Sequence, residues 1–319
     1  MTKPAEPALQ VALFGECMLE LQGQALGAMT QGFGGDTLNT AVYLARCGAR
    51  AGLAVSYATA LGDDRYSTLM MQAWAREGIQ LGLVRRLPGR LPGLYMIELN
   101  EAGERSFSYW REAAAARAYF DDADSTPLEA RAAEWDAFYL SGISLAILPA
   151  AARERVLALM GTLRERGAQV IFDNNYRPRL WPDVAQARVC FERAFELASI
   201  ALITADDHQL LFGLPTLDAA VQAAQALPVQ EIVIKRGAQS TLVGEGGNDK
   251  HWQEAATEPV PRIIDTTAAG DSFAAGYLAK RLAGAAAVEA ARFGNRLAAR
   301  VIQHRGALIA LDAMADLAG

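Results

Sequence analysis

The chain has 319 residues, 52% of them hydrophobic, which is enough apolar side chain for one large core with at most a small appendage. Its formal net charge of −6 excludes the basic stripe that a nucleic-acid surface requires. Three widely spaced cysteines (Cys17, Cys47, Cys190) and three scattered histidines (His208, His251, His304) form neither a disulfide framework nor a zinc site, and suit a reducing cytoplasm.

In chain order, residues 9–15 read as a strand whose apolar run, Val11 to Phe14, is too short for a signal segment. A glycine-rich passage follows to Gly35. A helix is expected from Thr37 to Cys47, with Leu38, Ala41, Val42 and Ala45 on one face and Gly48 as its stop. Strand 51–60 and helix 66–76 come next. Residues 94–99 and 106–110 flank Asn100-Glu101-Ala102-Gly103 and predict a β-hairpin. Regular alternation then sets in: strand 136–141, helix 150–166, strand 169–173, helix 183–197, strand 200–204, helices 206–212 and 216–227, strand 231–235. Ile263-Ile264 reads as the end of a strand, and a helix opens at Asp271 with Phe273, Tyr277, Leu278 and Leu282 facing inward. The alanine-rich stretch near 283–291 is broken by charged residues, so no membrane span is expected. Strands separated by helices predict an α/β fold: a three-layer core around a mainly parallel sheet, as one unit over 1–319. A small β-sheet lid is expected from about 17–34 and 90–111.

Four stretches could carry chemistry. Small residues, Ala268-Ala269-Gly270, precede Asp271 at a helix start, where bare N–H groups and the helix dipole favour an anion. An anion cradle beside one carboxylate suits phosphoryl transfer to a hydroxyl, although an Asp at this place also serves as a plain cap. Gly34-Gly35-Asp36-Thr37-Leu38-Asn39 offers glycines for close ligand approach and polar groups for hydroxyls, or simply a loop entering a helix. Asp173, Asn175 and Arg177 would share one face beyond the carboxyl end of a strand, the edge at which open α/β sheets bind ligands. Tyr109-Trp110-Arg111 puts a cation beside aromatics at the end of the hairpin.

Asp265-Thr266-Thr267-Ala268-Ala269-Gly270-Asp271, with Ala275-Gly276, resembles the C-terminal signature of the PfkB (ribokinase-like) sugar kinases, and Gly34 to Asn39 resembles their N-terminal Gly-Gly motif. Leu91-Pro92-Gly93-Leu94-Tyr95, Gly15-Glu16-Cys17-Met18 and Leu140-Ser141-Gly142-Ile143-Ser144 extend the likeness over nearly the whole chain. With the Tyr109 and Asp173 segments, they narrow it to the branch acting on 2-keto-3-deoxygluconate. The resemblance implies a ribokinase-like core and an ATP- and Mg²⁺-dependent kinase for the terminal hydroxyl of that sugar acid. It implies Asp271 as base and Ala268, Ala269 and Gly270 as anion hole. It further implies sugar-acid contacts from Gly35, Asp36, Asn39, Tyr95, Tyr109, Arg111 and Arg177, and nucleotide contacts from Asn175, Lys235, Arg236, Gly237, Ala238, Ala269, Gly270 and Asn295. Asp207 would organise Mg²⁺ through water. The chain departs from the pattern at Ala268, where Gly is common, at Thr204-Ala205-Asp206-Asp207, where many members have Asn-x-x-Glu, and at Ala307, where some sugar-acid kinases carry Asp.

Guanidinium groups bind carboxylates as a planar fork, so the two arginines agree with a sugar-acid substrate. A neutral-sugar kinase and an inactive sugar-acid sensor are the alternatives. Neither Gly-x-Gly-x-x-Gly after the first strand nor a Walker loop occurs, which disfavours a nicotinamide oxidoreductase and a P-loop NTPase. Tyr95, Tyr109 and Trp110 exceed what a small hairpin can bury alone, so a homodimer joined through the lid is expected.

Overall fold

The computed structural model describes residues 9–24, 26–99 and 105–318. Strand β1 (Leu9–Phe14) leads to β2 (Met18–Gly23), β3 (Met29–Gly34) and helix α1 (Asp36–Gly48). Then come β4 (Leu53–Leu61), α2 (Arg65–Arg76), β5 (Val84–Arg86), β6 (Leu94–Leu99), β7 (Arg105–Trp110) and the single turn α3 (Pro127–Ala130). The alternating stretch comprises β8 (Ala137–Ser141), α4 (Gly142–Ala146), α5 (Ala150–Glu165), β9 (Gln169–Asp173), α6 (Val184–Leu197), β10 (Ile200–Thr204), α7 (Ala205–Phe212), α8 (Leu217–Gln225) and β11 (Glu231–Lys235). Strands β12 (Thr241–Glu245) and β13 (His251–Ala255) and helices α9 (Ala269–Arg281) and α10 (Ala287–Val301) follow.

A nine-stranded sheet runs β13-β12-β11-β10-β9-β8-β1-β4-β5, parallel except for β12, which pairs antiparallel with both β11 and the edge strand β13. Its central strands are buried on both faces, and the period of two along each strand sorts their side chains into two cores. Phe14, Phe138, Leu140 and Phe172 pack with Phe191 and Phe195 of α6. Leu13, Tyr139 and Ile171 pack on the other face with Leu38 of α1, Phe273 and Tyr277 of α9 and Leu297 of α10. Helices α9 and α10 approach closely because Gly276 has no side chain: a Cβ there would lie 3.0 Å from the Gly294 Cα.

The second sheet, β3-β2-β6-β7, draws on two separated stretches and is held by Met18, Tyr95 and Ile97. Strands β6 and β7 pair antiparallel as expected, and the turn Asn100 to Gly103 lies outside the described residues.

The structure corrects three expectations. Ile263-Ile264 is irregular and exposed, not strand; the sheet edge is taken by β12 and β13, whose polar edge residues His251, Gln253 and Glu254 hide the strand from a hydrophobicity reading. Helix α9 begins at Ala269, so Asp271 stands inside its first turn. Helix α10 fills the alanine-rich region that had no expected element.

Candidate active site

Parallel strands bring their carboxyl ends to one edge, and that edge collects polar side chains from distant parts of the sequence. The Asn39 side chain, one turn into α1, donates from Nδ2 to Asp271 Oδ2 at 2.8 Å, across a separation of 232 residues. Thr40 Oγ1 donates to the Asp271 carbonyl at 3.3 Å, which ties the first turn of α1 to that of α9. Asp36 accepts hydrogen bonds from Asn175 Nδ2 at 2.7 Å and from Ser141 Oγ. Burial pushes the Asp271 carboxyl up to about 7; Asp36 and Asp173 add to the rise, while Asn39 and Lys235 oppose it. Burial likewise raises Asp36 despite its Ser141 and Asn175 partners. The Asn39 carbonyl oxygen Oδ1 is buried with no hydrogen-bond partner among the described residues.

The turn ahead of Asp271 is strained. Ala268 has φ 59° and ψ 18°, the left-handed region, at a cost of about 1–2 kcal/mol for a residue with a Cβ. The departure from Gly at this position therefore falls where Gly would be favoured. The Ala269 amide already donates to the Thr266 carbonyl at 3.2 Å. The amides of Gly270 and Asp271 precede any acceptor of their own helix and form the open end of the turn.

Lys235, the last residue of β11, places Nζ 3.0 and 3.3 Å from the two oxygens of Asp173, the last residue of β9. Asp173 also accepts from Tyr139 at 3.4 Å and from the Asn175 amide at 3.4 Å. Arg177 is half exposed and donates to both oxygens of Asp207, at 3.1 and 3.2 Å. Burial nevertheless raises the Asp207 carboxyl.

Several expected site residues are engaged differently from the sequence reading. The glycine pair serves the approach of the chain to itself: a Cβ on Gly34 would lie 2.4 Å from the Tyr95 hydroxyl, and one on Gly35 2.1 Å from the Glu16 carbonyl. Arg111 is no free cation but a buried one, paired with Glu16. Asn175 bonds to Asp36, on the side expected to hold the sugar rather than the nucleotide. Asn295 accepts from Thr241 and donates to the Ala255 and Ala256 carbonyls, so both its donor hydrogens tie α10 to the edge hairpin and the segment after it. Arg236 bonds to the carbonyl and hydroxyl of Ser240, and the Ala238 carbonyl accepts from Thr257. Gly237 takes φ 61° in the same turn. In the lid, Tyr95 is buried against Glu20 and stacks on the exposed Tyr109 at 6.0 Å.

Glu16 and Ser141 belong to this cluster and carried no expected role, and Asp173, expected only as one of three polar residues beyond its strand, pairs with Lys235. Asp173 had a signal, a carboxylate ending an otherwise apolar strand, whereas the partner of Glu16 lies 95 residues away and leaves no trace in spacing.

The profile of the pfkB family carbohydrate kinases matches residues 8–314. The curated relative 2-dehydro-3-deoxygluconokinase of Dickeya dadantii (strain 3937) is 46% identical over 304 residues, spanning 95% of this chain and 98% of that protein. The PfkB protein from Polaromonas sp. JS666 superposes with a TM-score of 0.80 at 26% identity, over 97% of this chain and 100% of that one. A fructokinase with bound ATP from Xylella fastidiosa has the same fold, with a TM-score of 0.80 at 23% identity over 97% of each chain.

Proposed function

Because the chain belongs to the pfkB family of carbohydrate kinases, we propose that its cleft transfers the γ-phosphoryl group of ATP to the 6-hydroxyl of 2-keto-3-deoxygluconate. The product is 2-keto-3-deoxy-6-phosphogluconate. The observation that carries this reading is the bond from Asn39 to Asp271, which sets a sugar-side polar group and a base of raised pKa against one open helix turn. Asp36 and Asn39 hold hydroxyls of the sugar, and Asp271 takes the proton of the attacking hydroxyl as the new P–O bond forms. The amides of Gly270 and Asp271 receive the transferring phosphoryl oxygens, where the helix dipole adds to the attraction. Arg177, at the rim, takes the carboxylate of the sugar acid.

Magnesium needs no protein cage, since it keeps several waters and binds chiefly through phosphate oxygens. Among the described residues no three His, Cys, Asp or Glu are grouped as a metal site, which agrees with an ion that arrives on the nucleotide. Asp207 fits an outer role: its carboxyl stays raised beside Arg177, so further positive charge nearby would be welcome. When bound, the ion supplies charge neutralisation at the phosphates.

The lid leaves Phe107, Tyr109 and Trp110 at 40%, 49% and 58% exposure. We assign this surface to a second copy of the chain; light scattering that finds a fully active monomer at micromolar concentration overturns that assignment. No helix among the described residues is long and apolar enough to cross a membrane, and the three cysteines are unpaired and buried, which suits work in the cytoplasm.

The test compares kcat/KM for 2-keto-3-deoxygluconate and fructose in wild type and Arg177→Leu. A lost charge-assisted hydrogen bond contributes about 1.5–3 kcal/mol, so the sugar acid loses roughly 10–150-fold. Fructose turnover stays near its starting value, and Arg177→Lys recovers only part of the loss, because an ammonium lacks the planar fork. An unchanged ratio means that Arg177 does not read a carboxylate, and the neutral-sugar alternative then replaces this reading.

A further inference from the structure

We propose that the amino edge of the large sheet, opposite the candidate active site, carries a separate binding groove that takes a linear aliphatic polyamine. Asp136 and Glu245 hold its ammonium groups, and apolar side chains between them receive its methylenes. The inference is independent of the sugar-acid reading, because the groove shares no residue with the cleft.

The strands that bring one set of side chains to the carboxyl edge leave their first residues at the other. Two adjoining cavities of about 250 and 220 Å³ open there and share Gln169, Ile200 and Arg281 as a common wall. They run across the starts of β8, β9, β10 and β11, from Asp136 to Glu231, and reach Glu245 at the end of antiparallel β12. Three steps between neighbouring strands separate β8 from β11, which makes the groove about 14 Å long.

Three carboxylates and one guanidinium line the groove, without lysine or histidine, so two negative charges stand uncompensated. The guanidinium is already committed. Arg281 donates to Glu231 Oε2 from Nε at 2.9 Å and from Nη2 at 2.7 Å, to Glu245 Oε1 at 3.1 Å, and from Nη1 to the Ala285 carbonyl at 3.3 Å. Glu231 is buried and also accepts from Tyr277, so it is a fixed wall of the groove. Asp136 and Glu245 remain. Asp136 Oδ2 accepts from the Gln10 amide at 2.7 Å and Glu245 Oε1 from Arg281, and the second oxygen of each accepts no hydrogen bond among the described residues. An anion therefore meets no unpaired cation here, whereas an ammonium group meets carboxylate oxygens with lone pairs to give. Leu9, Val11, Ile200 and Leu282 form an apolar stretch that suits a methylene chain and not a hydrated metal ion. With each nitrogen about 2.7–2.9 Å from its carboxylate, the two ammonium groups lie at least about 8 Å apart. A chain of several methylenes spans that distance, and a monoamine reaches only one end.

A single ammonium on one water-exposed carboxylate is held weakly, because solvent and salt screen the pair. Affinity in this groove comes from holding both ends of one molecule, so that the second contact is intramolecular, and from covering the methylenes between them. Helix α9 carries Asp271 in its first turn and ends at Arg281, about 15 Å further on, so the amine meets neither reactant of the phosphoryl transfer.

Isothermal titration calorimetry of the full chain with spermidine, without nucleotide and in a phosphate-free buffer, tests the proposal, with hexylamine as the one-headed probe. One equivalent of spermidine should saturate the protein, and hexylamine should bind at least about tenfold more weakly. Asp136→Asn/Glu245→Gln should weaken spermidine binding by at least about tenfold, the step expected for one lost charge-assisted bond. Leu282→Trp fills the first cavity with every charge intact and should weaken binding by a similar factor. The control Glu165→Gln/Asp218→Asn removes two exposed charges elsewhere and should bind within about twofold of wild type, which separates the groove from attraction to the net charge of −6. The three variants should keep kcat within about twofold of wild type, which shows that they are folded. Absence of saturable heat up to about millimolar spermidine, several equivalents bound per chain, or wild-type affinity in both the charge variant and Leu282→Trp overturns the proposal.

Discussion

Arg111 and Glu16 form a buried ion pair at the neck of the lid, with Nη2 of the guanidinium donating to Glu16 Oε2. The Glu16 carbonyl lies against Gly35 and its Oε1 against Gly93, so this one residue meets every other chain segment that passes between core and lid. Glu16 Oε1 and Arg111 Nε have no hydrogen-bond partner among the described residues. Burial raises the Glu16 carboxyl, and the Arg111 charge offsets only part of that rise.

Arg111→Leu therefore strands a buried carboxylate and should destabilise the fold by about 3–5 kcal/mol at neutral pH, the usual result of breaking such a pair. The double variant Glu16→Leu/Arg111→Leu should recover most of that loss. A native Glu16 of raised pKa holds a proton that the unfolded chain has released, so the deficit of Arg111→Leu should shrink as pH falls. Urea titration at pH 5 and pH 8 reads both effects; equal stability of wild type and Arg111→Leu at pH 8 removes the pair from the account.

Asp271→Asn should lower kcat by roughly 10²–10⁴-fold, the usual contribution of a general base, and change the sugar KM far less. With the carboxyl pushed up to about 7, wild-type kcat should fall on the acid side of neutrality. A profile flat down to pH 5, or a variant near wild-type turnover, removes Asp271 from the role of base.

The same carboxyl predicts a stability trend of opposite sense. Its native pKa of about 7 lies above the ordinary 3.8, so between these values the native state binds a proton that the unfolded state does not. The contribution of this group is thus favourable at low pH and is lost as pH rises through about 7. Asp271→Asn has no charge to bury, so its Tm should exceed that of wild type at pH 8 and converge on it near pH 5. A variant less stable than wild type at pH 8 contradicts the raised value.

Ala268→Gly removes a left-handed penalty of about 1–2 kcal/mol and incurs about 0.5–1 kcal/mol of extra chain entropy. The net gain should lie between about 0 and 1.5 kcal/mol, with kcat within about twofold of wild type. Ala268→Val should cost stability at the same φ, since a β-branched residue tolerates it worse than alanine. Calorimetry of the three proteins ranks them directly; valine as the most stable contradicts the backbone argument.

Legibility in the sequence followed the range of the interactions. The α/β alternation, the boundaries of β9, β10 and β11 and the helix carrying Asp271 were readable because period and strand burial are properties of contiguous residues. The two glycine-containing motifs were readable as motifs, on family resemblance, but their physical use was not. Gly34 and Gly35 suggest ligand approach in the sequence, and only the folded chain shows that their missing side chains also admit Tyr95 and Glu16.

By itself the sequence determined that a parallel sheet exists and that Asp271 stands near the open start of a helix, because propensity and patterning are local. Only the tertiary structure decided which charges are free. Arg111 and Arg177, identical in kind along the chain, became a buried partner of Glu16 and a half-exposed partner of Asp207. It likewise set Lys235 over Gly270 and raised Asp271, since desolvation and Coulomb energy depend on distances through space that residue order does not encode.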